Sequence, residues 1–217
     1  MNIITLWPDF LKSIIETITM VGISSLIGLA IGLVIGVTLV VTKPGAIMEN
    51  PWLYFVIDKV TNFFRSIPFI ILLALLIPLT RLIVGSAIGV KGAIVPLTFS
   101  VIPFYARQVE SVLESLNKGV VEAAISLGFT NFQIIRVYLG ESLPGIILAT
   151  TITIISLIGL STMAGAVGAG GIGDFTIRYG YQRSLEDVTI VCVLFLVVFI
   201  SLIQKIGDLL AKRASKT

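Results

Sequence analysis

The sequence predicts an all-α integral membrane protein with about five transmembrane helices and a helical elbow on the cytoplasmic side. The chain of 217 residues is 56% hydrophobic and 12% charged, about half the charged share of a typical soluble domain. Its mean hydropathy of +1.07 leaves too little polar surface to cover a globule in water. Long uncharged runs alternate with shorter polar segments, as expected when several helices cross a bilayer.

Five apolar segments are predicted to span the membrane, because a span needs roughly 20 predominantly apolar residues. The first is too long for a signal-peptide core and is expected to be retained as a helix. The third and fifth are short and are expected to extend into their flanks. The whole chain, 1–217, is predicted to form one domain with spans at about 14–42, 57–80, 90–108, 142–168 and 186–206.

Lysine and arginine residues predict the orientation of the spans. Cytoplasmic loops carry an excess of these cations, and five spans with a cytoplasmic C-terminus place nine of them inside and five outside. The N-terminus is therefore predicted to lie outside an inner (plasma) membrane. The inner cations are Lys43, Lys59, Arg107, Lys118, Arg136, Lys205, Lys212, Arg213 and Lys216. Arg65, inside the second run, is expected to snorkel or to pair with Asp58 or a partner subunit.

Small residues recur at every fourth position of the first span, at Ser24, Gly28, Gly32 and Gly36. On a helix they share one face and allow a second helix to approach closely. Packing within the subunit is the favoured interpretation, and packing against a partner subunit is the alternative.

Several chemistries are disfavoured by composition. Histidine is absent and Cys192 is the single cysteine, so the commonest general base and metal ligands are missing. No phosphate-binding loop of the G-x-x-x-x-G-K-[ST] type occurs. A membrane-embedded enzyme is therefore disfavoured, and neither a metal nor a cofactor is expected. The basic C-terminal tail is typical of a membrane protein rather than of a nucleic-acid-binding patch.

The polar segment of about 109–141 is predicted to be a cytoplasmic elbow of two short helices. The first covers about 119–127, with Gly128 at its C-terminal cap. Thr130 and Gln133 fit a capping box that opens a second helix, which Leu139 and Gly140 are expected to close. Apolar residues on an element with few charges predict a docking surface, although a plain connector is the alternative. These residues are Val120, Val121, Ile125, Leu127 and Phe129.

The elbow carries a motif that resembles the EAA motif of bacterial ATP-binding cassette (ABC) importer permeases. Glu122, Ala123 and Ala124, followed by Gly128, match that motif at the family's spacing. The resemblance implies that these four residues belong to a coupling helix that seats in a cleft of an ATPase subunit. The tail of the motif differs, since Tyr138-Leu139-Gly140 stands where isoleucine-x-leucine-proline is usual.

Three further stretches resemble methionine-uptake permeases of that class: 64–73 (FRSIPFIILL), 93–98 (AIVPLT) and 164–173 (AGAVGAGGIG). The resemblance implies a type I ABC importer permease fold and import of methionine, D- as well as L-. It also implies a second copy of the chain, two copies of a cytoplasmic ATPase subunit, and a periplasmic or lipid-anchored methionine-binding protein. On this interpretation a partner chain hydrolyses ATP, and this chain is not an enzyme.

The glycine-rich end of the fourth run is predicted to break the helix near the outer face. A re-entrant segment beside the translocation path would suit a gate, and Met163, Gly165 and Gly168 are the candidate gate residues. For Met163 ordinary packing is the favoured interpretation, and an apolar plug of the path is the alternative. Residues 168–173 also match G-x-G-x-x-G, but nucleotide binding needs a preceding strand and is disfavoured.

Two other functions stay open at this point. A secondary transporter without an ATPase would need an internal repeat and paired acids inside the spans, neither of which the sequence shows. A structural or assembly subunit of a membrane complex is harder to separate from a permease by sequence.

Overall fold

The computed structural model describes residues 2–215, and all regular secondary structure in that range is helical, which confirms the all-α fold class. Two π-helical turns, Gly165–Ala169 and Thr176–Tyr181, lie on either side of α10. The helices are α1 (Asn2–Thr5), α2 (Trp7–Thr42), α3 (Pro51–Ser66), α4 (Phe69–Leu75), α5 (Ile77–Val84), α6 (Gly89–Glu114), α7 (Lys118–Ser126), α8 (Asn131–Glu141), α9 (Leu143–Ala164), α10 (Gly171–Phe175) and α11 (Glu186–Ala214).

Within residues 2–215, four helical stretches are long and apolar enough to cross a membrane: α2, α6, Leu143–Ala169 and α11. The helices that contain the predicted third and fifth spans, α6 and α11, continue at their C-terminal ends beyond 90–108 and 186–206. The positions of these spans in the bilayer stay a prediction. α6 contains Pro96 and Pro103 in its interior and is nevertheless continuous.

The centre of the fold is the pair α2 and α6, which approach closely along the small-residue stripe. A Cβ atom at Gly32 would lie 2.9 Å from the carbonyl oxygen of Ile102, and one at Gly36 would lie 2.7 Å from that of Ala106. Ser24 donates a hydrogen bond to the carbonyl of Ile94, on the same neighbour. Packing within the subunit, the favoured interpretation of the stripe, is therefore correct.

The second predicted span, 57–80, is not one continuous helix. Pro68 has no N–H group and disfavours helical geometry at the residue before it, so Ile67 is extended (φ −86°, ψ 121°) and α3 ends. A second break at Leu76 separates α4 from α5. The segment nevertheless lies along α6, with Phe64 against Phe99. That it crosses the bilayer as a broken span stays a prediction.

Of the alternatives expected for Arg65, which were snorkelling, an ion pair with Asp58 and a contact with a partner subunit, the ion pair with Asp58 does not form. The side chain of Arg65 is exposed near the end of α3. Asp58 lies two turns earlier on the same helix and pairs instead with Arg107 on α6. The sequence did not indicate Arg107 as the partner of Asp58, because the two residues are 49 positions apart.

Candidate functional site

The predicted elbow forms as two short helices joined by a tightly capped turn. The side chain of Asn117 accepts a hydrogen bond from the amide of Gly119 (2.9 Å) and so starts α7. At the other end, Gly128 adopts φ +76°, its amide donates to the carbonyl of Ile125, and the amide of Phe129 donates to that of Ala124. This pair of bonds is a Schellman motif, in which glycine avoids the steric cost of the left-handed conformation.

The second helix of the elbow, α8, begins at the predicted capping box. The amide of Gln133 donates to the hydroxyl of Thr130 (3.4 Å), and the side chain of Gln133 accepts from the amide of Thr130 (2.7 Å). The prediction that Gly140 closes the helix is wrong. Gly140 is helical, α8 continues to Glu141, and the amide of Ser142 still bonds to the carbonyl of Tyr138. Pro144 lies at the second position of α9, where its missing N–H group costs no helical hydrogen bond.

The three residues of the EAA triplet differ in their exposure to solvent. Glu122 and Ala123 are exposed, whereas Ala124 is buried. Of the apolar residues predicted to form a docking surface, Ile125, Leu127 and Phe129 are exposed, while the two valines are half-buried. Phe132, which the sequence analysis missed, is the most exposed aromatic residue here, at 77%. Its position in the first turn of α8 beside the turn at Gly128 is the signal that could have identified it.

The elbow is fixed to the membrane-spanning helices through α8. Tyr138 and Leu139 pack against a core cluster that includes Val40 of α2, Val109 of α6 and Ile146 of α9. The elbow is therefore in direct contact with three of the long apolar helices.

A groove separates α7 from the α2–α3 connection. The groove has a volume of about 330 Å³, and Lys43, Glu114, Lys118 and Glu122 are among the residues that line it. Lys43 donates a hydrogen bond to Glu114 across 2.6 Å, which raises the pKa of this lysine above its ordinary value. The ion pair joins the end of α2 to the end of α6 directly beside the elbow.

A second group of charges joins α3 to α6 and was not predicted. The guanidinium of Arg107 binds the carboxylates of Asp58 and, at 2.5 Å, Glu110. All three side chains are largely buried, and Glu110 is only 7% exposed. Burial of charge is costly unless each charge is paired, so these contacts favour one fixed placement of α3 against α6.

At the opposite end of the molecule, the glycine-rich segment breaks and folds back as predicted. After α9, the residues Val167 and Gly168 leave helical geometry, with φ +94° at Gly168. The chain reverses through Gly170 and Gly171, both at positive φ, and enters the short helix α10. α10 packs beside α2, where Phe175 contacts Phe10 at a ring-centroid distance of 5.6 Å.

The three candidate gate residues occupy different positions around this fold-back. Met163 is exposed in the last turn of α9, at 41%. Gly165 is buried at the fold-back, where a Cβ atom would lie 2.5 Å from the amide nitrogen of Asp174. Gly168 lies at the exposed turn. The structure thus brings Met163 and Gly168 to an exposed surface at one end of the molecule, while Gly165 allows the return chain to pass closely.

Comparisons with known proteins agree with this architecture. The chain matches a family model described as the binding-protein-dependent transport system inner membrane component over residues 28–216. It is 47% identical over 199 residues to the probable D-methionine transport system permease protein MetI of Vibrio cholerae, covering 91% of this chain and 88% of that protein. The corresponding protein of Pasteurella multocida is 44% identical over 209 residues, with 96% of each chain covered.

Solved structures show the same fold. A chain from the inward-facing MetNI methionine ABC transporter superposes with a TM-score of 0.94 and 45% identity, covering 99% of both chains. A chain from an amino acid ABC transporter, 18% identical, superposes with a TM-score of 0.80 over 98% of this chain and 97% of that one, and shows likeness of fold alone. The fold is that of a type I importer permease. Given the family match over most of its length, the chain belongs to the binding-protein-dependent transport system inner membrane components.

Proposed function

We propose that this chain is the permease subunit of an ABC importer that translocates methionine, D- as well as L-, across the inner membrane. The capped elbow that exposes Glu122 and a set of apolar side chains carries the proposal. An exposed apolar surface outside the bilayer is typical of a docking site for another protein. The names of the relatives support methionine as the substrate.

The proposal includes four kinds of partner. Two copies of a cytoplasmic ATPase subunit bind the elbows of two copies of this chain, and a periplasmic or lipid-anchored binding protein delivers methionine from outside. The fourth partner is membrane lipid, and nucleic acid has no role. Similar chains from the MetNI methionine ABC transporter support the inclusion of an ATPase and of a second permease copy among the partners. ATP hydrolysis belongs to the ATPase chain.

Coupling follows from the way the elbow is built. The Schellman motif at Gly128 and the capping box at Thr130 fix α7 relative to α8. α8 in turn contacts α2, α6 and α9 through Tyr138 and Leu139. When the ATPase subunits close on ATP, the elbows move with them, and the spans change from an inward-open to an outward-open arrangement.

The proposed topology places the N-terminus outside and the C-terminus in the cytoplasm. The excess of cations at the elbow end and in the last turn of α11 supports this orientation. The fold-back after α9 then lies at the outer face. Met163, Gly165 and Gly168 form the gate there, with the side chain of Met163 as an apolar plug that excludes water and ions from the closed path.

The test is purification of the tagged chain with its ATPase from membranes, together with assays of ATPase activity and radiolabelled methionine uptake. Glu122→Lys places a cation at the exposed face of α7, and we expect it to abolish ATPase recovery and uptake while the permease itself still accumulates. Glu186→Lys is the matched control, because it reverses an exposed charge in the first turn of α11, at the end of the molecule opposite the elbow.

Three results would contradict all or part of the proposal. Uptake that persists with no ATPase bound would favour a secondary transporter. If the Glu122→Lys variant recovers as much ATPase as the parent does, the elbow is not the docking surface for the ATPase. If the parent complex imports other amino acids but not methionine, the permease assignment stands and the substrate is wrong.

A further inference from the structure

Two side chains of α2 hold the start of the outer fold-back. The amide of Gly171 donates to the carboxylate of Glu16 (2.8 Å), and the amide of Ile172 donates to the hydroxyl of Thr17 (2.9 Å). These amides open α10, and the first amides of a helix have no partner within it. The acceptors come from a helix 155 residues earlier in the chain.

Thr17 differs in this respect from its neighbour Thr19. Both hydroxyls donate to a carbonyl four residues earlier on α2, at 3.0 Å for Thr17 and 2.7 Å for Thr19. The hydroxyl of Thr17 also accepts the amide of Ile172, whereas that of Thr19 is bonded within its own helix. Thr17 is buried, so this second bond is shielded from water.

The approach of the segment to α2 leaves no room for side chains at the two glycines. A Cβ atom at Gly170 would lie 2.7 Å from the carboxylate of Glu16, and one at Gly171 would lie 2.7 Å from the hydroxyl of Thr17. Further along, the hydroxyl of Tyr179 donates to Asp9 of α2. The fold-back is thus attached to the outer third of α2 at several points.

We infer that Glu16 and Thr17 are positioning residues of the outer gate. They tie Gly171–Phe175 to α2, so this segment moves with α2 when the outer side of the permease opens. The inference rests on the proposed function only in calling the segment a gate. The side chain of Lys12, 4.0 Å from Glu16, is the one cation that the described residues place beside the carboxylate.

Hydrogen–deuterium exchange of the purified permease–ATPase complex tests the attachment directly. Thr17→Val removes the acceptor of Ile172, and Glu16→Ala removes that of Gly171. We expect the amides of residues 168–176 to exchange about tenfold faster in both variants, because the closed segment loses one of the hydrogen bonds that hold it against α2. Thr19→Val is the matched control and should leave this segment unchanged. Thr17→Ser and Glu16→Gln retain an acceptor and should restore slow exchange.

The functional readout is methionine imported per ATP hydrolysed by the reconstituted complex. A looser gate segment should lower this ratio in Thr17→Val and leave it at the parent value in Thr17→Ser. Unchanged exchange in residues 168–176, or faster exchange with an unchanged ratio, would overturn the inference. Hydrogen–deuterium exchange needs no substrate, so it still tests whether Glu16 and Thr17 hold the fold-back against α2 if the parent complex fails to import methionine. Such a failure would count against the proposed function alone.

Discussion

Replacement of Gly36 by alanine tests the α2–α6 contact on which the fold depends. The new methyl group would lie 2.7 Å from the carbonyl oxygen of Ala106 and 2.7 Å from the Cβ atom of Val109. Neither atom can turn away by a change of rotamer, so the two helices have to separate. Overpacking of this kind costs about 1–3 kcal/mol. The higher helix propensity of alanine returns about 0.5–1 kcal/mol.

Gly22→Ala is the control on the same helix, because a Cβ atom there would meet nothing within 4 Å. It keeps the gain in propensity without the clash, so the two variants should differ by about 2 kcal/mol in free energy of unfolding. At roughly 2–4 °C per kcal/mol for a chain of this size, Gly36→Ala should melt about 6 °C below Gly22→Ala. The difference is measured by heating the purified permease to a series of temperatures and recording the fraction that still elutes as a monodisperse peak in size-exclusion chromatography. Equal melting temperatures would refute the close approach of α2 and α6.

Two further predictions concern the elbow and the charged contact between α3 and α6. Gly128→Ala should destabilise the elbow by about 1 kcal/mol because Gly128 is left-handed, whereas Gly140→Ala should stabilise it by about 0.5–1 kcal/mol because Gly140 is inside α8. Amide exchange of residues 118–141 distinguishes these opposite signs, and a change of the same sign in both would contradict the capping. Arg107→Met should lower the free energy of unfolding by about 3 kcal/mol, since Asp58 and Glu110 lose their shared partner. Arg107→Met with Glu110→Gln should recover part of the loss in thermal melts, and no recovery would show that the network is not the cause.

Features set by nearby residues were predictable from the sequence. The capping box at Thr130 and the left-handed Gly128 depend on residues within a few positions of each other. Membrane class depends only on composition and on the length of the uncharged runs. The break at Pro68 also has a local cause, but an average over hydropathy conceals it because both sides of the break are apolar. At Gly140 a local signal was misleading. A glycine inside a helix that is well capped at its start lowers the stability of the helix but does not end it.

Polar contacts between distant parts of the chain were not predictable. Glu16 and Thr17 could be read only as polar residues near the start of a span, because their partners lie on the fold-back. Arg107 likewise pairs with Asp58, which in the sequence is only one of the expected partners of Arg65. In both cases the polar group is satisfied by a helix whose position depends on the packing of the whole bundle.

The interrupted segment α3–α5 has a consequence for biogenesis. α4 contains seven residues, so it is only about 10 Å long against a hydrocarbon layer of about 30 Å. Backbone groups at the two breaks cannot face lipid tails and have to be covered by protein. α6, which lies along the segment, is synthesised after it. α6 leaves the ribosome only after α5. As the broken span that the sequence predicts, the nascent segment would therefore have to stay with the insertion machinery or at the membrane surface until α6 covers it.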